Sequence, residues 1–122
     1  MELSDILKAL GDSTRLRIFS LLADNELCVC VISEVLKTSQ PNVSKHLNRL
    51  RYSGIIKCRK ISQWCFYGIS GLFREKYKPL YDFILSELDR GQQYKEDKKV
   101  LDYVLNSDIC YQQLLGQKGA KR

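Results

Sequence analysis

The chain has 122 residues, of which 44% are hydrophobic and 28% are charged, and this balance is typical of one globular domain. No apolar run approaches the roughly 18 residues of a membrane-spanning helix, and the acidic start, Met1 to Asp5, lacks the basic and apolar regions of a signal peptide. We therefore expect a cytoplasmic protein with no membrane partner. The net charge of +6 favours an anionic partner such as nucleic acid, although a merely soluble basic protein carries the same charge.

The chain has five cysteines, and their number and spacing limit the possible sites. In a reducing compartment we expect thiols or metal ligands rather than disulfides. Cys28 and Cys30 stand one residue apart in the stretch ELCVCVISE. A structural disulfide, a buried apolar pair and a site for a soft metal are the three interpretations of this spacing.

Four short helices are predicted in the first half of the chain. Leu3, Ile6, Leu7 and Leu10 recur with helical spacing, and Asp12 is a suitable N-cap for the following segment. Ser39 can cap the fourth helix, in which Pro41 fits the first turn. The predicted spans are 3–10, 13–22, 29–37 and 40–52.

In the second half of the chain, the spacing of the apolar residues changes from helical to strand-like. Segments 55–60 and 64–69 are rich in β-branched and aromatic residues, which predicts a β-hairpin. A long helix over 71–90, kinked at Pro79, and a last helix over about 95–115 follow, the latter beginning with KEDKK as a solvated turn. The expected fold is mainly α with a small hairpin, a dimeric winged helix-turn-helix in the order α-α-α-α-β-β-α plus an extra C-terminal helix. We divide it into a DNA-binding and dimerisation domain, 1–92, and a C-terminal extension with a basic tail, 93–122.

Two short helices joined by a tight turn and followed by a basic hairpin predict an interface with double-stranded DNA. The first of the two helices braces the second, whose polar face can enter a major groove, while hairpin cations can touch the DNA backbone or minor groove. The alternative is that each charged residue only faces solvent. The candidate DNA-binding residues are Gln40, Asn42, Ser44, Lys45 and Arg49 on the helix and Lys57, Arg59 and Lys60 on the hairpin.

The sequence resembles the ArsR/SmtB family of winged-helix metalloregulatory repressors over about residues 3–90. The resemblance is carried by LKALGDSTRLRIFSLL, by ELCVCVISEVLKTSQPNVSKHLNRLRYSGII and by QWCFYGIS, and ELCVC is similar to the thiolate motif of the arsenical-resistance branch. It implies a homodimer that binds an inverted-repeat operator and dissociates when an inducer binds. It also implies that the first helix and the helix after the hairpin form the dimer interface.

By this resemblance Cys28 and Cys30 bind trivalent arsenic or antimony, which prefer thiolates. On an ideal helix the two side chains would point about 200° apart, so we expect chelation to require the first turn to unwind. The family's third cysteine is replaced here by Ser33, and Cys110, Cys58 and Cys65 are the candidates for a third ligand. Filling of the protein core is the alternative role of every one of these cysteines.

Three other functions can be weighed against a metalloid-responsive repressor. A redox-sensing repressor of the same fold would use a reversible disulfide, for which Cys58 and Cys65 are better placed than the strained pair Cys28 and Cys30. A winged-helix module for protein contacts would not need the polar helix face. An enzyme is disfavoured because no nucleophile–base pair is visible, so we expect no catalytic cofactor. Zinc is disfavoured because His46, the only histidine, lies in the predicted recognition helix.

Overall fold

The computed structural model describes residues 1–107 and has the predicted winged helix-turn-helix order. Helices build most of the core, and one antiparallel hairpin stands at its edge. Within the described residues, no helix is both long and apolar enough to cross a membrane. The elements are α1 (Leu3–Leu10), α2 (Ser13–Leu22), α3 (Val29–Leu36), α4 (Gln40–Tyr52), β1 (Ile56–Ile61), β2 (Trp64–Ile69), α5 (Gly71–Lys76), α6 (Lys78–Leu88) and α7 (Gln92–Ser107).

The start of α2 is set by Asp12, as the sequence predicts. Its carboxylate accepts the backbone N–H of Arg15 at 3.0 Å, which satisfies one of the donors left open at a helix start. That hydrogen bond, helped by the nearby Arg15 guanidinium, holds the pKa of Asp12 below its ordinary value. From this fixed start, α2 sends Ile18 and Phe19 into the core, where both are fully buried.

A tight turn joins α3 to α4. α3 ends one residue earlier than predicted because Lys37 adopts a left-handed conformation, with φ of 57° and ψ of 49°, and reverses the chain. Ser39 then caps α4 by accepting the backbone N–H of Asn42, and Pro41 occupies the first turn. The result is the predicted pair of a bracing helix and a recognition helix.

The hairpin has the predicted strands, shifted by one residue in β1. Its pairs run from Ile56 opposite Ile69 to Ile61 opposite Trp64, with Ser62 at positive φ in the loop. Leu27, just before α3, forms an isolated bridge to β2: its N–H donates to the Tyr67 carbonyl at 2.9 Å, and its C=O accepts the Tyr67 N–H at 2.8 Å. The wing is therefore hydrogen-bonded to the segment that leads into α3.

The single helix predicted over 71–90 is wrong. The structure has two helices, α5 and α6, separated at Tyr77, whose φ of −115° and ψ of 39° are not helical. Pro79 lies in the first turn of α6, where its missing N–H costs little, whereas within a continuous helix it would remove a hydrogen bond and crowd the preceding turn. The expected kink is thus a complete break.

The last helix also departs from the prediction. α7 begins at Gln92 rather than near residue 95, and the KEDKK turn is not fully solvated, because Asp97 is buried. Its two carboxylate oxygens accept hydrogen bonds from the Arg17 guanidinium, each at 2.9 Å, and one also accepts from the Gln93 amide. The helix packs on α2 and α3 of its own chain and adds Leu101 and Leu105 to the core. The division at residue 92 stays a prediction, and the tail beyond residue 107 lies outside the described residues.

We expect Asp97→Ala to lower the free energy of unfolding by about 1–3 kcal/mol, since it removes a buried carboxylate and leaves Arg17 and Gln93 without their acceptor. Urea denaturation followed by circular dichroism measures the loss. Asp102→Ala is the matched control, because Asp102 is exposed on the same helix. Equal effects of the two substitutions would contradict a structural role for the ion pair.

Candidate nucleic-acid interface and thiol site

α4 presents a polar face opposite its buried one. Val43, Leu47 and Leu50 are fully buried and fix the helix on the core. Among the predicted DNA-binding residues, the side chains of Gln40, Lys45 and Arg49 are exposed, and Asn42 and Ser44 are half-buried. This arrangement matches a helix that packs on one side and is open to a groove on the other.

Two of the predicted contact residues already have partners within the chain. The Asn42 amide donates to the Thr38 hydroxyl at 3.1 Å, and Arg49 donates to the Ser53 hydroxyl at 3.2 Å. Asn42 still has its amide oxygen as an acceptor, and the Arg49 guanidinium has four further N–H donors. Both side chains are therefore held in position while keeping groups for a partner.

A cationic groove that the sequence did not reveal runs along the second half of α4. Its volume is about 480 Å³. The Arg15 guanidinium, which comes from α2, donates to the Ala9 carbonyl at the end of α1 and lies 3.3 Å from Nδ1 of His46. Arginine can only donate, so Nδ1 of His46 is the accepting atom in this contact. No sequence pattern links Arg15 to a helix thirty residues later. The groove is lined by Arg15, Lys45, His46, Asn48, Arg49 and Tyr52.

The three candidate cations of the wing differ in whether they form an ion pair within the chain. Lys57 and Lys60 are exposed. Arg59 forms a two-pronged ion pair with Glu26, which lies across β2 beside Gly68. A Cβ on Gly68 would come within 3.1 Å of the Glu26 side chain, so the glycine allows this crossing. The ion pair favours the charged form of the guanidinium and raises the pKa of Arg59 further above its ordinary value.

The two neighbouring thiols do not have the geometry of an ideal helix. Cys28 is the N-cap of α3, with extended φ of −88° and ψ of 165°, and only Cys30 lies inside the helix. Their Sγ atoms are 2.8 Å apart, so the expectation that the first turn must unwind before both sulfurs meet is wrong. Cys28 is buried and Cys30 is half-buried. Of the two sulfurs, that of Cys30 is the one that solvent can reach.

The wing cysteines form a separate pair. A disulfide joins Cys58 to Cys65, whose Cα atoms are 5.8 Å apart, within the usual span of about 4.4–6.8 Å. For these two cysteines the structure departs from the general expectation of thiols or metal ligands and has the disulfide for which the sequence made them the better candidates. Adjacent strands hold the two residues on one face of the hairpin. Among residues 1–107, no three His, Cys, Asp or Glu side chains are grouped to hold a metal ion. Cys110 lies outside the described residues.

Ser33, at the position of the third family cysteine, has a different role here. Its hydroxyl donates to the Thr38 carbonyl, and the backbone N–H of Thr38 bonds back to the Ser33 carbonyl at 3.3 Å. Ser33 thereby ties α3 to the turn that precedes α4. The side chain also lines a cavity beside Cys30.

Comparison with known proteins places this geometry in a family. Residues 12–57 match the model described as bacterial regulatory protein, arsR family. An uncharacterized HTH-type transcriptional regulator of Methanocaldococcus jannaschii is 52% identical over 67 residues, which are 54% of this chain and 75% of that protein. The arsenical resistance operon repressor of Escherichia coli is 46% identical over 66 residues, which are 53% of this chain and 56% of the repressor.

A solved structure shows the same fold. The homodimeric winged helix-turn-helix DNA-binding domain of a possible ArsR-family regulator from Mycobacterium bovis superposes with a TM-score of 0.61 at 26% identity, covering 70% of this chain and 79% of that one. The relatives are transcriptional regulators, which confirms the expectation that the chain is not an enzyme. The match to the M. jannaschii regulator and the family model, on the helix-turn-helix just described, shows that this chain belongs to the ArsR family of helix-turn-helix transcriptional regulators.

Proposed function

We propose that this protein is a cytoplasmic repressor that binds operator DNA as a homodimer and releases it when trivalent arsenic or antimony binds Cys28 and Cys30. The observation that carries the proposal is the placement of two adjacent sulfurs at the start of α3, the helix that braces the recognition helix. The arsenical-resistance name of the E. coli relative supports the same class of inducer.

The DNA-binding part of the proposal is based on charge and shape. α4 would enter the major groove with Gln40 and Asn42 near base edges. The cationic groove beside it offers Arg15, Lys45 and Arg49 to a phosphate, and His46 can add a proton donor through Nε2. Lys57 and Lys60 on the wing extend the positive surface.

The sensing part is based on what α3 connects. A soft ion binds sulfur as the thiolate, so each thiol would lose its proton on binding. Cys28 directly follows Leu27, which is paired with the wing, while Ser33 holds the turn before α4. When both sulfurs bond to one ion, their separation and their bond angles change. This change moves the start of α3 relative to the two proposed DNA-contacting elements, the wing and α4. Release of DNA then follows from local geometry without unwinding of α3.

A third thiolate for an inorganic ion is proposed from Cys110. The last described turn of α7 shares a cavity with Cys30 through Val104 and Ser107, and Cys110 follows Ser107 by three residues in sequence. Cys58 and Cys65 are the weaker candidates, because each is bonded to the other on the wing.

The dimer is proposed from apolar side chains that the chain does not cover. They lie on the elements that the family resemblance assigns to an interface, and the Tyr77 hydroxyl, which donates to the Met1 carbonyl at 3.4 Å, brings those elements together. A homodimeric structural relative supports the same arrangement. The exposed side chains are Leu3, Leu7, Leu72 and Phe83.

A second candidate function, redox sensing, is favoured by one observation, the disulfide between Cys58 and Cys65 on the wing. Reduction of this disulfide would allow β1 and β2 to move relative to each other, and these strands form the wing that we propose to contact DNA. Titrating the protein–DNA complex with arsenite and, separately, with peroxide or a dithiol reductant distinguishes the two inputs.

We expect Lys45→Ala and Arg49→Ala each to weaken DNA binding and to reduce the slope of log K against log salt concentration by about one, since each removes one phosphate contact. Fluorescence anisotropy with an operator that the protein itself selects from random duplexes measures both quantities. Lys95→Ala, which removes an equal charge from α7, is the control and should leave the slope unchanged. Identical slopes for all four proteins would count against this interface.

We expect Cys28→Ser and Cys30→Ser to keep the DNA affinity of the parent and to lose release by arsenite, because a hydroxyl is a poor ligand for a soft ion. The same anisotropy assay with increasing arsenite measures this. The double variant Cys58→Ser/Cys65→Ser, which removes the wing disulfide and leaves no unpaired thiol there, is the control for loss of cysteines elsewhere and should still release DNA on addition of arsenite. If the first two variants instead lose DNA binding, the thiols are structural.

We expect Phe83→Glu to convert a dimer into a monomer, because it places a charge on an exposed apolar position of α6. Light scattering coupled to size-exclusion chromatography gives the mass. Tyr52→Glu, at a still more exposed aromatic residue on α4, should leave the mass unchanged. A monomeric parent protein would contradict the proposed assembly.

A further inference from the structure

The guanidinium of Arg15 is fixed against two other elements, although Arg15 itself belongs to α2. Its Nε donates to the Ala9 carbonyl and one terminal nitrogen donates to the Lys8 carbonyl at 3.4 Å, so the last turn of α1 holds it. The other terminal nitrogen donates to Nδ1 of His46 on α4 at 3.3 Å. These contacts use three of the five N–H groups of an arginine. Arg15 therefore enters the cationic groove as an anchored fork that has one further N–H on each terminal nitrogen.

The charged groups around His46 are mostly cationic. Arg15 comes from α2, and Lys45 and Arg49 come from α4 itself and line the same groove. Asp12, at the start of α2, interacts with the ring electrostatically, but its carboxylate already accepts the Arg15 backbone N–H at 3.0 Å. The last turn of α1 contributes the carbonyls that hold Arg15, and no described residue of α3 or β1 lines the groove. A positive charge on the ring is therefore opposed as long as no anion is bound.

Protonation of His46 changes what the ring can offer. In the neutral ring, Nδ1 accepts from Arg15. In the charged ring both nitrogens carry hydrogen and can only donate, so this contact is lost and two like charges face each other. A phosphate oxygen between them would accept from Arg15 and from the Nδ1–H of His46 at once, and hydrogen bonds between charged partners are the stronger ones. A bound phosphate thus favours the charged ring, and the charged ring favours a bound phosphate.

We propose that Arg15 and His46 form a clamp for one phosphate of the DNA backbone, and that His46 takes up a proton when the clamp binds DNA. This inference rests on the proposed function, since it requires operator binding by α4. The proton comes from solvent and is held on Nδ1; when DNA leaves, it returns to solvent and Nδ1 again accepts from Arg15. Histidine is the side chain whose ordinary titration falls between pH 5 and 8. Because the DNA-bound state holds more protons than the free state, binding becomes tighter as the pH falls through this range.

The first test measures operator affinity at pH 8 and at pH 6, at constant ionic strength, by fluorescence anisotropy on the untagged full chain. We expect the affinity to rise about tenfold between the two pH values. His46→Asn is the diagnostic variant, because asparagine has a similar helix propensity, keeps a carbonyl acceptor for Arg15 and does not titrate. Its affinity should be the same at both pH values. Asn48→Ala, at a non-titrating residue of the same groove, is the matched control and should keep the rise.

A second measurement detects the proton directly. His46 is the only histidine of the 122-residue chain, so one imidazole C–H resonance in the NMR spectrum reports its charge without ambiguity. We expect the midpoint of this titration to move up by about one pH unit when operator DNA is added. In Arg15→Gln, the midpoint of the free protein should be higher and its shift on DNA binding smaller, because the charge that opposes protonation is gone.

The outcomes separate this inference from the proposed function. Operator binding that does not depend on pH, a rise that persists in His46→Asn, or an imidazole midpoint that DNA does not move would overturn the proton-coupled clamp and leave the repressor assignment intact. Absence of operator binding at every pH would overturn the proposed function itself. If circular dichroism shows that His46→Asn does not fold, the imidazole titration of the parent protein decides alone.

Discussion

The contact between the sulfurs of Cys28 and Cys30 depends on one backbone choice, the extended conformation of Cys28 at the N-cap of α3. Within a regular helix the two side chains would diverge, and no single ion could reach both. Outside the helix by one residue, Cys28 turns its sulfur to within 2.8 Å of its neighbour. The Cys28 carbonyl still accepts the first hydrogen bond of α3, from the N–H of Ile32 at 3.3 Å, so a displacement of Cys28 is passed directly to the helix. In the proposed function, the same residue would therefore supply a ligand and transmit its displacement to α3.

α3 is short, and each part of it contacts a different element. Its N-cap follows the Leu27 rung on the wing, its middle residue Ser33 holds the turn to α4, and its outer face packs against α7. Eight residues are too few for a stable isolated helix, so α3 is held by these neighbours rather than by its own propensity. A displacement at the start of α3 therefore displaces the elements that pack against it. These include the wing and α4, the two proposed DNA-contacting surfaces.

Local patterns predicted the local structure well, and they failed where distant residues meet. Helical spacing, the Asp12 and Ser39 caps and the strand composition gave the order of elements and most boundaries. The break at Tyr77 was missed because a continuous apolar stripe runs through it, although Pro79 marked the place. Asp97 was expected in solvent because its neighbours are charged, whereas its partner Arg17 is eighty residues earlier. The cationic groove and the cavity beside Cys30 depend in the same way on helix packing that no short motif encodes.

The ion pair between Arg59 and Glu26 links the wing, which we propose to contact DNA, to the segment that leads to Cys28. Both side chains are more than a third exposed, so water screens the pair and it adds little to stability. A DNA phosphate can therefore compete with Glu26 for the guanidinium at small cost, and bidentate pairing suits a phosphate as well as a carboxylate. Glu26 precedes Cys28 by only two residues, so any displacement of the thiol segment also moves the carboxylate that competes for Arg59. Through this exchange, the state of the thiols would set how available the wing arginine is to DNA, independently of the path through Ser33 and α4.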